Sequence, residues 1–170
     1  MNIELVRATN EYKEQLFEML TEWKNDIIVN HTDMSPWKIW ANDFHDFDNY
    51  LKNLDTKEET KDGWVPDTTL FCFDRDRKIF VGAVNIRHYL NDKLLKTGGH
   101  IGDGVRPSER KKGYATAMIG LALDECKRLG INKVLICCDK NNIGSDWKMK
   151  LKKMDILSSV IGFSYKIDDE

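Results

Sequence analysis

The chain has 170 residues, a length suited to one domain with a buried core. Its 26 Lys and Arg against 28 Asp and Glu leave a net charge of −2, so no basic excess exists to neutralise phosphates and nucleic acid is not an expected partner. No apolar run approaches the roughly 20 residues of a membrane helix, and MNIELVRATNEYKE has no export-signal core, so a cytoplasmic location without membrane contact is expected.

In chain order, IELVRA reads as a first strand. Residues 10–24 place Tyr12, Leu16, Met19, Leu20 and Trp23 at helical spacing, with Thr9 as the expected N-cap. Residues 35–55 open on Ser-Pro and carry Trp37, Trp40, Phe44, Phe47, Tyr50, Leu51 and Leu54, which predicts a second helical region. TTLFCFD (68–74) and KIFVGAVNIRH (78–88) are rich in strand formers around a charged turn and predict a hairpin. HIGDGV (100–105) is a further strand, whose Gly102 and Gly104 point to a bulge or to the close approach of another backbone. Ala115, Met118, Ile119, Ala122, Cys126 and Leu129 mark one helix face ending at Gly130, and KVLICCD (133–139) follows as a buried strand. The order β, α, α, β, β, β, α, β predicts an α/β fold with a mixed sheet. The four cysteines show no paired CxxC spacing, so neither a metal site nor a disulfide is expected.

The chemistry concentrates in GVRPSERKKGYATAM, residues 104–118. Pro107 and Ser108 end a strand and Tyr114 begins a helix, so residues 109–113 form a loop whose amides can point outward together. A helix N-terminus offers unpaired N–H groups and partial positive charge, which suits a phosphate. Gly113 and the small Ala115 permit close approach, Arg110, Lys111 and Lys112 add charge, and Thr116 adds a hydroxyl. A pyrophosphate fits this set, although neither GxxxxGK[ST] nor GxGxxG is present. A solvated basic turn is the plain structural alternative.

RKKGYA, residues 110–115, resembles the [R/Q]xxGx[G/A] loop of the GNAT acetyltransferase superfamily. Its setting, with a strand pair before it and a helix and VLICCDKNNIGS after it, resembles the core of that fold, and DGWVPDTT (62–69) and VGAVNIRHYLN (81–91) extend the likeness to a bacterial subgroup over residues 1–145. The resemblance implies one GNAT-like α/β domain over 1–170. Its sheet would be mixed and mostly antiparallel, with the fourth and fifth strands splayed, helices flanking, and the C-terminal strands incomplete. It implies acetyl-CoA as co-substrate, its pyrophosphate on the amides of Arg110, Lys111, Lys112, Gly113, Tyr114 and Ala115. Its pantetheine arm would pair with the main chain of Asp103, Gly104 and Val105. The Val105 amide would polarise the thioester carbonyl, and Asn142 resembles the asparagine that contacts the cofactor arm.

The implied activity is N-acetylation of a primary amine on a small molecule or a protein; the alternative is a CoA-binding module with impaired catalysis. Amine acetylation requires removal of a proton. His100 is the candidate base, acting through water, and Asp103 the candidate to bind the amine, the two on opposite sides of an ideal strand unless a bulge intervenes; His88 is a third candidate. The acids and aromatics of residues 37–62 suit a cationic amine or, equally, a solvated amphipathic helix. The tyrosine that many members carry seven residues after the asparagine is Met149 here. After Ser145 the likeness fades, and GFSYKI allows one strand; an open sheet edge, and a homodimer through it, are the expected consequences.

Overall fold

The computed structural model describes residues 1–138 and 160–165. Strands β1 (Ile3–Val6), β2 (Asp67–Asp74), β3 (Ile79–Arg87) and β4 (Ile101–Val105) form an antiparallel sheet in the order β1-β2-β3-β4. Alternation along the strands divides the core between its two faces. Leu70 and Cys72 of β2 and Val84 and Ile86 of β3 pack against helix α4 (Tyr114–Arg128), through Met118, Ile119, Ala122 and Cys126. Phe71 and Ala83 face the other way, onto helix α1 (Lys13–Asn30) and the short helix α2 (Phe47–Asn53).

Helix α1 buries Leu16, Met19, Leu20 and Trp23, the stripe its spacing predicts. Thr9 starts a 3-10 turn over Asn10–Tyr12 and makes no side-chain cap; the residue before α1 is Tyr12. The predicted helix over 35–55 is broken in two. A 3-10 turn covers Trp37–Trp40 and α2 begins only at Phe47, because Asp43 accepts the His45 amide (3.0 Å) and Asp46 caps the Asn49 amide (3.3 Å). Aspartates that bond nearby amides start helices and do not continue them.

The hairpin is as expected, its turn closed by Asp74 accepting the amides of Asp76 and Arg77. A five-residue helix, α3 (Asp92–Lys96), is an addition to the predicted order, capped by Asn91 on the Leu94 amide at 3.0 Å. Helix α4 is followed by Gly130, whose φ of 78° turns the chain toward strand β5 (Val134–Cys138).

Strand β5 leaves the sheet. It touches the β4 segment at one end, where the His100 amide donates to the Leu135 carbonyl (2.7 Å) and the Leu135 amide to His100 Nδ1 (3.0 Å). It pairs in parallel with strand β6 (Val160–Tyr165) in a separate two-stranded sheet. The splayed fourth and fifth strands of the sequence reading are therefore present.

Candidate functional site

The loop between β4 and α4 is held from both sides by acids of other elements. Glu18, Glu22 and Asp26 recur every fourth residue on α1 and form a stripe. Arg106, 7% exposed, pairs with Glu18 (2.7 Å) and Glu22 (2.6 Å); the Ser108 amide donates to Glu22 (2.9 Å); Arg110 pairs with Asp26 (2.8 Å). On the opposite side Glu109, 5% exposed, accepts two bonds from Arg77 and one from Lys112. Bonds from Arg77 and Lys112 hold its carboxyl below the usual range against the effect of burial. Tyr114 is buried; its hydroxyl donates to Asp74 (2.5 Å) and accepts from Arg77 (3.0 Å).

Of the three basic residues expected to assist a phosphate, two have their side chains engaged within the protein. Arg110 turns to Asp26 and Lys112 to Glu109, and Tyr114 contributes its side chain to the core. What remains is the exposed Lys111 and the backbone. Lys111 (φ 63°) and Gly113 (φ 90°) are left-handed on either side of Lys112, a pattern that turns successive amides into one concavity. The first i−4 bond of α4 runs from Ala117 to Gly113 at 3.3 Å, so the amides of Gly113, Tyr114, Ala115 and Thr116 have no such partner, and Gly113 has no side chain to cap them. The loop is thus a rigidly mounted set of donors.

Beside it lies the edge of β4 that no other described strand pairs along. The Arg87 amide bonds the His100 carbonyl and the Arg106 amide bonds the Val81 carbonyl, which fixes the alternation in the regular register of 82–86 against 101–105. Even-numbered residues of β4 direct their main-chain groups to β3; Ile101, Asp103 and Val105 direct theirs into the gap toward β5. The Val105 carbonyl receives Arg110 Nε at 3.3 Å, so its amide is the group left facing the gap.

Two expectations change here. Gly104 has its amide and carbonyl in the β3 ladder opposite Ala83, so it cannot pair with a ligand along that edge. Its glycine identity has another cause: a Cβ there would sit 2.5 Å from Trp23 Cζ2 and against the Ser35 carbonyl, the close approach that the sequence suggested. No bulge interrupts β3 and β4.

The candidate catalytic residues also separate. His100 accepts the Leu135 amide at Nδ1, so a neutral ring carries its proton on Nε2 and has no lone pair to spare. Burial and then Arg87 lower its pKa, and its role is to join β4 to β5. His88 is exposed and bonded to Thr68 Oγ1 at 2.9 Å. Asp103 lines a cavity of about 550 Å³. Burial, with Asp33 adding its charge, pushes the Asp103 carboxyl up to about 7. Asp33, Ser35, Trp37, Trp64 and Arg87 share the cavity wall.

Most acids of residues 43–62 are used elsewhere: Asp43 on His45, Asp46 as a cap, Asp55 on Arg7 and the Thr69 amide, Glu59 on Tyr89. Only Asp62 of that set reaches the cavity. The signal missed in the sequence was Asp33, a lone acid before Ser-Pro. Asn142 and Met149 lie outside the described residues. Among the described residues no helix is long and apolar enough to cross a membrane.

A four-stranded antiparallel sheet, a fifth strand splayed from its edge and an amide-lined loop opening the helix between them define an acyl-transferase class of α/β domain. Residues 3–147 match the family model described as the acetyltransferase (GNAT) domain, and the chain belongs to that family. No curated protein and no solved structure was found to match.

Proposed function

We propose that this protein is an acetyl-CoA-dependent N-acetyltransferase whose acceptor is a primary amine. The observation that carries the reading is the alternation along β4, which turns the main chain of Asp103 and Val105 away from β3 and toward β5, with Asp103 also at the wall of the cavity. The outward amides of Lys111 to Thr116 suit the pyrophosphate, and the main chain of Ile101, Asp103 and Val105 suits an extended arm lying in the gap.

In this reaction the neutral amine nitrogen attacks the thioester carbonyl carbon. The oxyanion that forms accepts from the Val105 amide, a kind of contact worth about 3–4 kcal/mol. The nitrogen gives its proton to Asp103, the C–S bond breaks, and the CoA thiolate leaves and takes a proton from solvent. A carboxyl titrating near neutral pH accepts a proton at the pH where an amine must lose one.

Calorimetry with acetyl-CoA and free-thiol release across an amine panel test the reading. Binding is expected for the unaltered protein, with at least a tenfold loss in Gly113→Asp, where a carboxylate enters the concavity and a side chain must adopt φ of 90°. Absence of binding, or affinity unchanged in Gly113→Asp, overturns the cofactor site. Binding with no turnover on any amine identifies a CoA-binding module.

A further inference from the structure

The charges around the cavity are of both signs. Asp33, Asp62, Asp67 and Asp103 oppose Arg87, Lys93 and Lys96. A polycation entering it would meet three cationic side chains, and a purely anionic molecule would meet the carboxylates. A ligand with one charge of each sign is complementary to both sets.

Arg87 is the most telling of the seven. It is the last residue of β3 and half-buried, and burial lowers its pKa. Its Nη1 donates to the carbonyls of Gly98 (3.1 Å) and Gly99 (2.9 Å). It makes no ion pair among the described residues. Its register partner Asp67, also at the cavity wall, acts on it by charge without a bond: that carboxyl accepts the Thr56 amide, and burial raises its pKa. Among the described residues Nε and Nη2 of Arg87 have no hydrogen-bond partner. A Cβ on Gly102 would lie 3.3 Å from Nη2, which puts this end of the guanidinium against β4, one residue before Asp103. A half-buried guanidinium with two donors to spare is built for a bidentate carboxylate.

We infer that the acceptor is zwitterionic, an amino-acid-like amine whose carboxylate pairs with Arg87 while its amino group reaches Asp103. This rests on the reading of the cavity as the acceptor site of an N-acetyltransferase. Trp37 and Trp64, both at the cavity wall, flank the part of the molecule between or beyond the two charges.

The experiment is free-thiol release with acetyl-CoA and matched triplets: an amino acid, its carboxamide and its decarboxylated amine. The amino acids that turn over are expected to exceed both analogues by about tenfold to a hundredfold in kcat/KM, mainly through KM, as for a lost charge-assisted bond. Arg87→Gln is expected to abolish that preference and Arg87→Lys to restore part of it, with acetyl-CoA affinity unchanged in both. If analogues match the amino acids in the unaltered protein, the inference falls and the acetyltransferase reading stands, whether or not Arg87→Gln folds. Should acetyl-CoA bind without turnover, calorimetry of the triplets on the CoA complex decides: preference for the carboxylate supports the inference and its absence overturns it. No acetyl-CoA binding and no turnover overturns the parent reading and this one with it.

Discussion

Asp103 holds a proton to unusually high pH because burial and Asp33 both oppose its ionisation, and two opposite predictions follow from that one cause. A base must be ionised, so kcat/KM should climb as pH rises through about 7. Asp103→Asn should remove that limb and lower kcat by about a hundredfold or more, as for a lost general base. Stability should move the other way. The folded pKa lies above that of the unfolded chain, so the native state keeps the proton longer; the aspartate costs nothing below the unfolded pKa and its full penalty above pH 7. Asp103→Asn should therefore match the unaltered protein in Tm at pH 4 and exceed it at pH 8. Thermal melts at the two values check this, and an equal Tm at both would remove the buried charge from the account. The same environment that makes the residue reactive makes it unfavourable to the fold, which is common at functional sites.

At the scale of elements, the loop before α4 depends on α1. Glu22 serves both the half of Arg106 that Glu18 does not reach and the Ser108 amide. Glu22→Ala leaves a buried guanidinium with one partner and a loop amide with none, an expected loss of about 1–3 kcal/mol by urea unfolding. Acetyl-CoA affinity should fall as well, since the donors would no longer be held in place; unchanged affinity would show that the concavity is rigid without α1. The α1 stripe also marks where sequence reading stops. The periodic faces of α1 and α4, the hairpin and the glycine after α4 were legible, because their signals lie within a few residues of their effects. The stripe Glu18, Glu22, Asp26 is visible as a spacing, but its arginine partners lie more than 80 residues away, so the spacing alone does not show what it holds. The same distance hid the commitments of Arg110 and Lys112, whose charges looked available for a phosphate. The split of the 35–55 region was written in Asp43 and Asp46, but the aromatic spacing around them suggested one helix.

For the whole molecule, the gap between β4 and β5 exists because the two strands meet at one end and part at the other. His100 makes that junction with both its backbone and its ring. In the sequence it resembled a catalytic base, and only the position of Leu135 beside it assigns it to the joint. Its pKa is lowered in the fold, by burial first and then by Arg87. A histidine with a depressed pKa contributes stability that is fully present above its unfolded value of about 6.5 and is lost as pH falls below it. Protonation also turns Nδ1 from acceptor to donor, so the bond from the Leu135 amide cannot survive it. Acid should therefore loosen β5 from the sheet before α1 and the hairpin open. Amide hydrogen exchange, corrected for intrinsic rates, should show Leu135 losing protection as pH falls from 7.5 to 5.5 while the amides of β2 and β3 keep theirs. His100→Gln, whose side-chain oxygen can accept the same amide without titrating, should hold protection at Leu135 constant over that range. A parallel loss of protection in both proteins would mean that the joint is set by backbone contacts alone, and the imidazole would then be incidental to the gap on which the site depends.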